Sequence, residues 1–130
     1  MRVSVLRGFF VVQVGLLALQ FGVGLSVSLF PIPVLLNFGL TSSVGTGLVL
    51  HHYLAIIVLV FAALATVVSF VMKNPLIREL SVLGLALVIG AFLTGTAFVY
   101  VQKTDFYAVA MGVFFVLALI IYESALFLTK

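Results

Sequence analysis

Few side chains in this sequence can do chemistry: two adjacent histidines, three methionines, three acids and no cysteine. His51 and His52 sit in the first turn of the apolar stretch Leu48–Met72. An ionisable group inside such a stretch is a functional candidate. A histidine there can ligate haem iron axially, carry a proton, or hydrogen-bond a quinone oxygen. Its plainer role is a hydrogen bond to water or a loop carbonyl at an interface. Adjacent residues on a helix point about 100° apart, so the two histidines cannot share a face. Counting in threes and fours from His51 reaches Ala55, Ala62, Thr66 and Ser69, all small or mildly polar. Small residues mark the packed side of a membrane helix, because lipid supplies no hydrophobic drive and close approach must hold the helices together. The same count from His52 reaches Ile56, Leu59 and Ala63. His51 is therefore expected to face inward, and His52 to lean toward a neighbour or the interface.

Three further groups bear on that chemistry. Met111 lies about as far inside its own apolar stretch as His51 does, and a thioether can stand opposite histidine on haem iron; otherwise methionine fills irregular gaps in packing. Glu123 is the one acid well inside a stretch, expected to reach the inner interface toward Lys130 or Arg78. Gln13 and Gln20, seven residues apart, share a helix face and are expected to hydrogen-bond between helices. No phosphate-cradling glycine loop, nucleophile–base pair or carboxylate pair is present.

The elements that must position these groups are four apolar helices. About 20 residues cross a 30 Å hydrocarbon core, and the chain divides into such spans at about Val5–Phe30, Leu48–Met72, Pro75–Val101 and Phe106–Leu128. Pro31 and Pro33 stop the first, since proline lacks the N–H and clashes with the preceding turn. Pro31–Gly47 reads as an uncharged loop that could form a short re-entrant or surface helix lying over the mouth of the bundle near His51. Asn74 reads as an N-cap with Pro75 in the first helical position, and Thr104 or Asp105 as the cap of the fourth span. The first span is expected to be retained rather than cleaved as a signal peptide, since its apolar run is too long for one. Gly22, Ser26, Ser28 and Phe30 recur as Gly90, Thr94, Thr96 and Phe98, a faint repeat that would make two parallel hairpins. Gly22 and Gly90 are expected at close helix crossings.

Composition narrows the functions. The chain is 65% hydrophobic and 7% charged, whereas soluble domains carry about 25% charged residues, so the sequence reads as an integral membrane protein with one four-span domain. The net charge of +3 comes from basic residues scattered at span edges, which is no nucleic-acid patch. Without cysteine there is no disulfide or thiolate site, and two histidines cannot build a four-ligand zinc site. Arg2, Arg7, Lys73, Arg78 and Lys130 fall on one side and only Lys103 on the other, which places both termini in the cytoplasm. A small multidrug-type transporter needs an acid in its first span, which here has only Gln13 and Gln20.

With His51-His52-Tyr53-Leu54-Ala55 at the outer start of span two and LGLALVIGAFLTGTAFVY in span three, the sequence resembles one half of the haem A synthase family, whose compact archaeal members have four spans. The resemblance covers most of the chain and implies a haem-handling bundle. The chain departs from the family at three places. Leu48 stands where the family has glutamate, which bears on oxidation chemistry. Ala108 or Met111 stands where it has a second histidine, which bears on bis-histidine ligation. The family's outer-loop cysteine pair is absent.

The fold expected is an all-α, antiparallel up-down bundle of four transmembrane helices in the cell membrane. The function expected is the binding of haem b or quinone in respiratory or haem-maturation electron transfer; the alternative is a non-catalytic accessory subunit packed against a larger membrane complex. The candidate cofactor residues are His51, His52 and Met111, with His51 as the metal ligand. If haem binds, its other axial position falls to Met111, Tyr107, water or a second copy of the chain. The bilayer and a homodimer or larger membrane complex are the expected partners.

Overall fold

A computed structural model of the chain describes residues 3–29, 43–100 and 105–129. Its elements are four helices, α1 (Val3–Leu29), α2 (Ser43–Ser69), α3 (Pro75–Tyr100) and α4 (Asp105–Phe127). All four are long and apolar enough to cross a membrane.

The first, third and fourth helices start within two residues of where they are expected, and the fourth ends one residue early; Phe30 and Val101, the expected ends of the first and third, lie outside the described residues. The second differs more. α2 begins at Ser43 rather than Leu48, so the end of the expected loop is helical; residues 30–42 lie outside the described residues. Nothing in Ser43–Gly47 forbids helix, since it holds no proline and each glycine costs only about 1 kcal/mol relative to alanine. α2 also ends at Ser69, and the chain then tightens. The amides of Phe70, Val71 and Met72 donate to the carbonyls three residues back, at 3.2, 3.2 and 3.0 Å, the bond pattern of a 3₁₀ turn. Asn74 does cap α3: its Oδ1 accepts from the Leu76 amide at 3.0 Å, with Pro75 in the first helical position.

The helices pack in a ring. α1 lies against α2 and α4, and α3 lies against the same two, so among the described residues α1 faces α3, and α2 faces α4, across diagonals. Gln13 of α1 meets Val58 of α2, and Thr66 of α2 meets Ser81 of α3. The rings of Phe10 and Phe21 on α1 lie 6.2 and 5.8 Å from those of Tyr122 and Phe115 on α4.

The inward faces are narrow. On α1 the buried residues are Leu6, Phe10, Gln13, Leu17 and Gln20, spaced by alternating fours and threes. On α3 they are Ile77, Ser81, Gly84 and Val88, and on α4 Ala118, Tyr122 and Ala125, at the same alternation. This spacing keeps one seam of each helix on its neighbours. The remaining surface is apolar: Val67, Leu93, Val109 and Phe127 are each at least 60% exposed, which no soluble fold of this size would leave uncovered.

Glycine admits aromatic rings at two crossings of α3 with α4. A Cβ on Gly84 would sit 2.7 Å from the Tyr122 ring, and one on Gly90 would sit 3.2 Å from the Phe114 ring. The expectation for Gly90 holds. That for Gly22 does not, because a Cβ there meets nothing within 4 Å. Gly22 falls outside the four–three register of α1, so it faces outward, and in packing it is not the counterpart of Gly90. Gly84→Leu and Gly90→Leu are therefore expected to destabilise by about 1–3 kcal/mol through overpacking, and Gly22→Leu to be neutral, read as melting temperature in detergent. A loss at Gly22 matching that at Gly84 would contradict this packing.

Candidate functional site

The inward stripe of α2 is as expected. Ala62, Thr66 and Ser69 are buried and His51 and Ala55 half-buried, while His52 is exposed. What holds His51 is a pair of positions on α1. Gln20 and Gly24, four residues apart, lie on one face of that helix. Gly24 supplies the room: a Cβ there would stand 3.1 Å from His51 Cε1. Gln20 supplies the hold, donating from Nε2 to the His51 main-chain carbonyl at 3.1 Å. That acceptor fixes which end of the amide is nitrogen, an assignment that otherwise depends on the network.

The same Nε2 lies 3.2 Å from Nδ1 and 3.2 Å from Nε2 of the His51 ring. These two nitrogens flank one carbon, Cε1. An atom equally close to both at that distance cannot lie in the ring plane without colliding with the ring, so the amide sits over the imidazole face. The in-plane directions of the ring nitrogens, where an imidazole donates, accepts or ligates, are not spent on Gln20.

The other sequence candidates are placed as follows. His52 packs its ring 5.9 Å from that of Phe92 on α3, the neighbour contact expected of it. Met111 is half-buried and sets its sulfur 2.9 Å from where a Cβ of Gly95 would lie, so the thioether fills a gap against α3. α2 and α4 stand on a diagonal; His51 and Met111 thus sit on helices that are not neighbours. Tyr107 is half-buried, its ring 5.6 Å from that of Phe106. Glu123 is exposed. Among the described residues no three His, Cys, Asp or Glu side chains gather into a metal-binding group.

For haem, the imidazole offers one axial donor. Its seat on Gly24 leaves no thickness for a macrocycle between ring and α1, so a flat ligand has to approach His51 from another side. Two grooves, of about 350 and 220 Å³, lie elsewhere, the first lined by Phe70 and residues of α3 and the second by residues of α1 with Phe61.

Sequence reasoning anticipated hydrogen bonds from Gln13 and Gln20 between helices. Gln13 Nε2 donates to the Val58 carbonyl at 3.2 Å. It missed the pairing of Gln20 with His51 and the role of Gly24. The signal was a glutamine and a glycine four apart in register with Leu6, Phe10 and Leu17. It also missed Tyr122, fully buried against Gly84 and Phe10. Among the described residues three buried polar atoms complete no hydrogen bond within 3.5 Å, Gln13 Oε1, Gln20 Oε1 and the Tyr122 hydroxyl, the last lying toward the Thr66 side chain.

No protein-family model matches this sequence, and comparison with curated proteins and with solved structures gives no match.

An unpaired buried hydroxyl costs about 1–3 kcal/mol. Tyr122→Phe, which keeps the ring, is expected to leave melting temperature unchanged or raise it, while Gln20→Leu, which frees the His51 carbonyl, is expected to lower stability by about 1 kcal/mol. A marked loss in Tyr122→Phe would mean that the hydroxyl is bonded.

Proposed function

We propose that this chain is a four-span protein of the cell membrane, threaded up-down-up-down with both termini in the cytoplasm, and that it holds a flat redox ligand, haem b or a quinone, at His51 in the outer half of the bundle. The orientation follows the basic residues, Arg2, Arg7, Lys73, Arg78 and Lys130 against Lys103. The threading follows the pairings, in which residues late in α1 meet residues early in α2, and residues late in α2 meet residues early in α3.

One observation carries the ligand reading: the Gln20 amide lies on the face of the His51 ring and leaves its nitrogens free in the plane. An imidazole fixed in this way is oriented before a ligand arrives, which lowers the ordering cost of binding. A neutral ring can donate one N–H to a quinone carbonyl or offer its lone pair to haem iron. Haem b, when bound, supplies one-electron chemistry; the chain supplies the seat and the orientation. His51 would hold the haem from this chain, and any second ligand would come from a second copy, since Met111 is turned to α3. A homodimer would also bring together the eight helices of the longer haem A synthase relatives that the sequence resembles.

A second reading, an accessory subunit of a larger respiratory membrane complex, is favoured by a different observation. The large apolar side chains on the outer faces of all four helices suit a protein partner as well as lipid.

An absorption spectrum separates the two. Purified protein supplied with haem b should show a Soret band that His51→Ala abolishes and His52→Ala leaves largely intact. Haem retained by His51→Ala would refute the ligand assignment. Wild-type protein that takes up neither haem b nor quinone would leave the subunit reading.

A further inference from the structure

We propose that the groove at the corner between α2 and α3 binds one phospholipid whose headgroup carries both a phosphate and a primary ammonium, a phosphatidylethanolamine. This site rests on the membrane reading above.

The groove, about 350 Å³, is lined by Phe70, Arg78, Glu79, Val82, Leu83 and Ala86. Phe70 lies just past the end of α2, where the 3₁₀ turn carries it outward, 58% exposed. The other five come from α3. Arg78, Val82 and Ala86 follow one another at four-residue spacing, and so do Glu79 and Leu83, which makes one face of the helix. Both charges stand at its start and only apolar residues follow. From Arg78 to Ala86 the helix rises about 12 Å. The matching ligand is polar at one end and apolar along that length, parallel to the helix axis, as a lipid lies in its leaflet. Ala86 is small and exposed, so a chain can lie close to the helix there.

The head end is more specific. The Arg78 guanidinium sits over the Phe70 ring, 5.6 Å from its centroid. That contact takes a face of the group and leaves its N–H edge for a phosphate. Glu79, next in sequence, points about 100° away from Arg78, and side chains in this relation do not face each other. The two therefore offer opposite charges side by side to a third party. A phosphate on Arg78 with an ammonium on Glu79 satisfies both. A phosphatidylglycerol would bring a phosphate and neutral hydroxyls, but no cation to pair with the Glu79 carboxylate, and a hydrogen bond to a neutral donor lacks the charge pairing that an ammonium adds. A phosphatidylcholine has a quaternary nitrogen with no N–H to donate. Free phosphate has no tail for Val82, Leu83 and Ala86.

The test uses the full chain in nanodiscs holding equal parts of phosphatidylethanolamine, phosphatidylglycerol and phosphatidylcholine with identical acyl chains. Native mass spectrometry of the released protein reads which lipids stay bound. One phosphatidylethanolamine should be retained in preference to the other two. Arg78→Gln should reduce that retention about tenfold, the loss expected for one charge-assisted hydrogen bond. Glu79→Gln should remove the preference for ethanolamine over choline while sparing choline retention. Ala86→Leu, which fills the groove, should lower retention of all three. These positions are exposed, so an unchanged melting temperature should accompany each effect. Preference for phosphatidylglycerol, or retention unaltered in both Arg78→Gln and Ala86→Leu, would overturn the site. Insertion without selective retention overturns the site alone; failure to enter nanodiscs overturns the membrane reading and the site with it.

Discussion

Apart from the Tyr122 hydroxyl, each buried polar side chain among the described residues, Gln13, Gln20, Thr66, Ser69, Ser81 and Thr129, donates to a main-chain carbonyl. A helical carbonyl already accepts one bond from its own helix, and its second lone pair is the acceptor that a helix can offer a neighbour without breaking its own ladder. Three of these bonds cross between helices. Gln13 and Gln20 tie α1 to α2, and Thr66 ties α2 to α3 through the Ser81 carbonyl at 3.0 Å. An apolar seam alone leaves sliding along the axis weakly opposed, since one aliphatic contact replaces another at little cost. A side chain that must end on a particular carbonyl does not slide. The crossing bonds therefore set the register in which the rest of the packing falls, and in a bilayer, where no water competes, breaking one leaves a buried group unpaired.

The site inherits that register. His51 reaches the Gln20 amide because Gln13, seven residues earlier on the same face, reaches Val58, seven residues later on α2. Both pairings lie at the same offset between the two neighbouring helices. Gly24 then falls opposite the imidazole, and its missing side chain makes the seat. Tyr122 is placed by the same logic at the other end, where Gly84 admits the ring between α3 and α4. Its hydroxyl is carried into the core with the ring, toward the Thr66 side chain.

What could be read from the sequence follows from these forces. Four helices were legible because long apolar runs separated by proline, asparagine and charge have few other readings. The cap at Asn74 was legible because capping is local chemistry. The inward face of α2 was legible because small and mildly polar residues there, Ala62, Thr66 and Ser69, contrast with aliphatic ones. The start of α2 was placed at Leu48 because the apolar run begins there, while the small and polar residues Ser43–Gly47 before it do not forbid helix. Gly22 was misread because a small residue on a membrane helix is as free to face outward as inward, and only the four–three register of its neighbours decides. The pairing of Gln20 with His51 depends on the relative register of two helices, and a single helix's pattern carries no information about that.

The central claim is that, among the described residues, His51 is held by its face while the in-plane directions of its nitrogens are left to a ligand. Solid-state NMR of the protein in bilayers with ¹⁵N-labelled histidine, titrated with a short-chain quinone, reads this most directly. The account predicts that one ring nitrogen of His51 shifts on titration while both nitrogens of His52 stay in place, and that Gln20→Leu broadens the His51 signals. His51 signals unmoved by quinone and unaffected by Gln20→Leu, or a shift confined to His52, would contradict it.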